Sequence, residues 1–301
     1  MKNFEDFLNH GYHKISTAVL LIGVGAGVVT FLLHESVAYT SHFIGTTKPF
    51  EGMTFVYASL FALASYLLSK FLFRDTNGSG IPQVKLKLVA YKGKMPRRMT
   101  LGKFVTSFLT LCSGLSFGRE GPLVTMSAAW GHLVSYVLKL NQDMTKILVS
   151  SGATAGLAAA FNTPIAAVVF TIEEILGELN TKYLGPIIVT SVIASVTSYN
   201  LLGSESFFVP LHYGYKVEWH LVLYLFLGLL MSILGFLFVK IILFFKGIRK
   251  NTFAKYDFVF IILAVCLAGL GSQYSVEVLG DGTKTINRLL LGEGGSFITP
   301  V

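Results

Sequence analysis

The chain has 301 residues, of which 53% are hydrophobic and 13% charged, roughly half the ~25% charged share of an ordinary soluble domain. So few polar side chains cannot cover a soluble surface, so the composition excludes a soluble domain and predicts a polytopic helical membrane protein. The net charge of +8 is not a nucleic-acid footprint, because it collects in short connections of the kind that stay cytoplasmic.

In chain order, residues 1–14 are polar and mixed in charge, without a signal-peptide cleavage pattern, and are expected to form a cytoplasmic N-terminal segment. Residues 15–33 are uncharged and long enough to span a bilayer. Their Gly23, Gly25 and Gly27 are small residues suited to close helix packing. Residues 52–69 form the second uncharged run. A basic stretch follows, with Lys85, Lys87, Lys92, Lys94, Arg97, Arg98 and Lys103. Residues 104–118 are apolar but short, and 121–138 follow directly. Residues 147–172 are apolar but interrupted by Asn162-Thr163-Pro164, where Pro164 fits the first turn of a new helix and Asn162 or Thr163 its cap. Residues 183–204, 221–239 and 258–276 complete the predicted spans, and a second basic group runs from Lys240 to Lys255. Cys112 and Cys266 both lie in apolar runs and read as small core residues. His132, on an apolar helix, reads as a packed or hydrogen-bonded residue.

Two breaks matter most, because irregular backbone at membrane depth is tolerated only where protein buries it or it lines a wet cavity. Discontinuous helices meeting there mark transport sites. Gly78-Ser79-Gly80-Ile81-Pro82 offers two glycines, a hydroxyl, and a proline where a helix can start. The open N–H groups and dipole of that first turn favour an anion. Ser79 can donate one further hydrogen bond, and nothing in the break itself supplies a full positive charge. Phe117-Gly118-Arg119-Glu120-Gly121-Pro122 repeats the design with a carboxylate in place of the serine. An intramembrane glutamate is a functional residue by default. Glu120 is itself an anion, so it can occupy and block an anion site, and protonation releases it. That makes it both a gate and a proton carrier. A structural Arg119–Glu120 pair is the plainer reading, but adjacent residues do not face each other on a helix. Glu173 and Glu174 end the helix that starts near Pro164; they read either as ordinary charges at a helix end or as a route for protons between cytosol and pore.

The sequences GSGIP at 78–82, GREGP at 118–122 and AAAFNTPIAAVVFTIEE at 158–174 resemble, in order and spacing, the signatures of the CLC chloride channel/transporter family. The resemblance covers roughly residues 15–290. It implies an all-α integral membrane fold, a CLC-type inverted-repeat bundle of discontinuous, tilted helices. Its first half would be complete at 15–204 and its second only begun at 205–301. By the same resemblance, Ser79 would coordinate chloride. Backbone at Gly78, Gly80, Ile81 and Pro82, and at Gly118, Arg119, Gly121 and Pro122, would line the anion path. Glu120 would be the external gating glutamate and Glu174 the internal proton-transfer residue. An acid at Glu174 favours H+/Cl− antiport over a passive chloride channel. Serine at 79 goes with chloride, where the nitrate branch carries proline. The resemblance further implies a homodimer in a cell membrane, with a cytoplasmic N-terminus, lipid contact, and no cofactor besides transported chloride. No enzyme is expected, since His34-Glu35 lacks zinc-protease spacing and no Ser/His/Asp arrangement stands out.

Two family elements are not found: the GxFxP motif and a later pore tyrosine. GGSFITP at 294–300 imitates the first, but Phe297 and Pro300 stand two residues apart instead of one. The chain is therefore expected to lack the C-terminal third and to conduct poorly alone, which keeps a third reading open, a non-conducting membrane fragment.

Overall fold

The computed structural model describes residues 2–46, 48–177, 181–203, 220–252 and 257–291, and no strand occurs among them. The helices are α1 (Lys2–Ile44), α2 (Gly52–Leu67), α3 (Ile81–Ala90), α4 (Met99–Cys112), α5 (Glu120–Val137) and α6 (Gln142–Phe161). They continue with α7 (Pro164–Phe170), α8 (Thr181–Leu202), α9 (His220–Thr252), α10 (Asp257–Tyr274) and α11 (Thr283–Leu290). Five helical stretches among the described residues are long and apolar enough to cross a membrane.

The centre of the bundle is α6. Asn141 caps it, its side chain accepting the Met144 N–H at 2.9 Å. From Ile147 to Ala160 every residue is buried, and most are Ala, Gly, Ser or Thr. Such small side chains let neighbouring backbones approach, the usual basis of helix contact in lipid. Against α5 a glycine stands at each crossing: Gly131 lies on the Leu148 carbonyl, Gly152 on that of Ser127, and Gly156 on that of Leu123. Against α8 hydroxyls bridge the helices. Ser195 donates to the Ala158 carbonyl and Ser198 to that of Ala159, each at 3.0 Å. Interhelical bonds of this kind are worth about 0.6 kcal/mol on average.

The glycines of α1 act as the sequence predicts. Gly23 packs on Ile193 and Gly27 on Thr197, while Gly25 lies against Trp130, whose Nε1 donates to the Leu21 carbonyl at 3.0 Å. The α10 helix docks on the loop before α2: the Phe50 N–H donates to the Ser272 hydroxyl at 3.0 Å, and Gln273 Nε2 to the Phe50 carbonyl at 2.9 Å. Cys112 is buried, Cys266 partly so, and both thiols are free.

Several predicted bounds are corrected. The span predicted at 15–33 belongs to a longer helix, α1, continuous from Lys2 to Ile44. The helix predicted from residue 104 begins at Met99. The span predicted at 221–239 runs on to Thr252, carried past Lys240, whose ammonium lies 4.7 Å from the Phe236 ring. A lysine with a long apolar stem does not interrupt an apolar helix. The Val222–Ile248 stretch of α9 is long and apolar enough to cross a membrane, and none of its most apolar window is buried against the described residues. The GGSFITP stretch at 294–300 lies outside the described residues.

Candidate functional site

Both breaks are helix starts. Gly78 and Gly80 have φ of +107° and +123°, conformations that suit glycine, and they turn the chain into α3 with Pro82 in its first turn. Arg119 stands at the cap of α5, and Glu120, Gly121 and Pro122 form its opening turn. The two starts meet backbone to backbone. A Cβ on Gly80 would collide with the Gly121 carbonyl and the Thr125 hydroxyl, and one on Gly121 with the Ser79 carbonyl. Ser79 and Pro82 are exposed at this junction, and Ile81 is half-buried.

The carboxylate of Glu120 folds back over Gly118, where a Cβ would strike Oε2. Gly118 is thus a glycine of close approach. The half-buried carboxylate lies at the positive end of α5, where a bound anion would sit.

The ion pair of Arg119 runs to Asp281, with Nε 3.7 Å from Oδ2. Asp281 belongs to the connection between α10 and α11, which is also held by a Gly280 N–H donating to the Gly114 carbonyl at 3.1 Å. The opening turn of α5 is therefore braced by residues about 160 positions later in the chain, a partnership that no local pattern announces.

Two further residues shape the first break. Lys103 does not belong to a basic loop: it is 6% exposed, on α4, and its ammonium donates to the Thr76 and Gly78 carbonyls at 2.9 and 2.8 Å. The break itself carries no full positive charge, and the one beside it comes from Lys103 on another helix. By drawing loop carbonyls toward itself, Lys103 fixes the loop's orientation. Gln83 Oε1 accepts the Gly80 N–H at 2.6 Å, and its carboxamide lies against Gly78. The Gly80 amide, expected to stand open to an anion, is engaged from within the chain.

The third predicted motif also forms a helix start. Asn162, with φ of +54°, ends α6 in a left-handed conformation, and Pro164 opens α7, with Thr163 at the cap position making no side-chain cap bond. After Phe170 the helix widens to a π-helical turn, Thr171–Leu176, where the Thr154 hydroxyl donates to that of Thr171 at 2.9 Å. Glu173 and Glu174 are exposed on this turn. Its Ile175 packs in one core with Val84 and Leu88 of α3. The structure thus joins the two glycine breaks directly, and joins the acidic turn to the helix that the first break begins.

The chain matches the family model described as "Voltage gated chloride channel" over residues 60–301. It is 29% identical over 302 residues to the H(+)/Cl(-) exchange transporter ClcA of Vibrio vulnificus (strain YJ016), an alignment covering 94% of this chain and 64% of that protein. A ClcA of Vibrio campbellii is 28% identical over 307 residues, covering 96% and 65%. The chain therefore spans about 64% of the length of the curated relatives it matches. Among solved structures, a slow cyanobacterial Cl-/H+ antiporter superposes with a TM-score of 0.80 at 23% identity, covering 94% of this chain and 68% of that one. A CLC-type fluoride/proton antiporter gives 0.78 at 25% identity, covering 91% and 69%.

Proposed function

The chain belongs to the voltage-gated chloride channel family, and on that footing we propose that it acts in the exchange of chloride for protons across a membrane. One observation carries this reading: two glycine-proline helix starts abut, and a carboxylate lies over one of them. Ionised, Glu120 holds the anion position at the start of α5. Protonated, it loses its charge and leaves, and chloride takes the place between the two starts, in the field of Lys103. Binding of this kind is favourable without being tight, as conduction requires. Gly118, Arg119, Gly121 and Pro122 line the second start, and Gly78 to Pro82 the first, with the Ser79 hydroxyl as an added donor. Glu174, exposed on its π-helical turn, receives protons from water on the other side. In this reading the strongly basic connection between α3 and α4 lies on the cytoplasmic side. Pairing of two copies belongs to the same reading.

The test is chloride efflux from liposomes containing this chain, with external pH recorded in the same trace. Chloride leaving together with proton uptake supports exchange. Chloride without protons points to a passive channel, and absence of both from folded protein sinks the reading for this chain acting alone.

A further inference from the structure

A cavity of about 610 Å³ lies at the far end of α5 from the gate. Its wall is built from the α3–α4 connection, the last turns of α5, the α5–α6 turn and the first turn of α6. The charged side chains lining it are all basic, Lys92, Lys94 and Lys139, with His132 beside them. Arg97, exposed beside this wall, holds its guanidinium 3.9 Å from the Tyr136 ring. The nearest acid in sequence, Asp143, is exposed in the first turn of α6 and does not line the cavity.

Three features separate this cavity from an ordinary solvated basic face. Lys92 and Lys139 both have φ of +53°, and they are two of the three non-glycine residues in left-handed backbone among the described residues. Two separate turns thus accept an unfavourable conformation, and each puts a lysine on the same cavity. The positive end of α6, a 20-residue helix, adds to the same potential, with Gln142 and Thr145 of its first turn in the wall. The walls are also amphiphilic, since Val137 is 67% exposed and Tyr136 52% exposed at the rim.

We propose that this cavity binds a phosphate group, as the monoester or diester headgroup of an anionic lipid. Lysine ammoniums are point charges suited to phosphate oxygens, and basic pockets between membrane helices take anionic headgroups. The exposed Tyr136 and Val137 accept the glycerol and upper acyl portion. Free inorganic phosphate shares the headgroup's chemistry but makes no use of the apolar rim. The site is independent of the transport reading, because it involves neither glycine break.

The experiment is native mass spectrometry of the full chain, counting bound phosphatidylglycerol against phosphatidylcholine, with inorganic phosphate as the second probe. Lys92, Lys94 and Lys139 are changed together to Gln in one variant, and Lys85 and Lys87, outside the cavity, in a control. Phosphatidylglycerol retention by the wild type and the control, weakened roughly 100-fold in the triple variant, supports the lipid source. Binding of inorganic phosphate with the same dependence on the three lysines, and no preference between the lipids, supports a free phosphate source and overturns the lipid one. Equal retention by the triple variant, or equal loss in the control, overturns the site altogether. Circular dichroism of both variants confirms that loss of binding is not loss of fold.

Discussion

Arg119 Nε lies 3.7 Å from the carboxylate of Asp281, and through this pair the opening turn of α5 is braced by the connection between α10 and α11. Both side chains are partly buried, so the pair sits between a surface ion pair worth at most about 1 kcal/mol and a buried one whose breakage costs ~3–5 kcal/mol.

Asp281→Asn is therefore expected to destabilise the protein by about 1–2 kcal/mol, read as a lowered midpoint of thermal unfolding in detergent. An unchanged midpoint would mean that the Gly280–Gly114 backbone bond alone holds the connection.

Lys103→Met keeps most of the volume of a 6% exposed side chain but leaves the Thr76 and Gly78 carbonyls without their donor. The Thr76 carbonyl is buried, and leaving it unpaired costs roughly 1–3 kcal/mol. The first break also loses the ammonium that is hydrogen-bonded to its backbone. Chloride affinity by calorimetry should fall at least about tenfold, the equivalent of ~1.4 kcal/mol. Wild-type affinity in this variant would remove Lys103 from the account of the anion site.

Two glycine substitutions separate gate from scaffold. In Gly118→Ala the new methyl meets only the far end of the Glu120 side chain, which can rotate away. Stability should change by less than about 1 kcal/mol, while chloride flux loses part of its pH dependence. In Gly80→Ala the methyl meets the Gly121 backbone, at a φ of +123°. The cost there is roughly 3 kcal/mol or more, measured by denaturation. Similar losses of stability in the two variants would contradict the placement of the Glu120 carboxylate.

Glu120→Gln imitates the protonated gate, so chloride flux should persist while proton movement falls to background. Glu174→Gln should also stop proton movement and leave chloride flux in place. Full coupling in the second variant, assayed in paired chloride and pH traces, would show that the exposed turn at Thr171–Leu176 is not on the proton route.

The parts of the site legible in the sequence are those set by neighbours in the chain. Pro82, Pro122 and Pro164 each stand in the first turn of a helix, because a fixed φ and a missing N–H suit that turn wherever it lies in the fold. The glycines of α1 were readable for a similar reason, as a stripe of small residues. Lys103 was not readable. Its charge grouped it with the loop before it, and its partners are carbonyls 25 and 27 residues away. Gln83 was missed because its role depends on the left-handed turn before it rather than on residue type. Asp281 and the cavity around His132 rest on contacts between distant elements, which leave no periodic trace. The full length of α9 is not legible because Lys240 carries a charge, and only the structure shows its ammonium beside the Phe236 ring.

The contact between Gly80 and Gly121 also sets a clock. Two loops that abut through their backbones form one stiff piece, and neither relaxes without the other. In the proposed gate the part free to move at this junction is then the Glu120 side chain, whose carboxylate lies over Gly118. Side-chain rotations take picoseconds to nanoseconds, far quicker than the turnover of a transporter. If Glu120 gates exchange as proposed, its rate should follow proton supply and be nearly indifferent to solvent viscosity, which flux measured in buffers of graded viscosity would check.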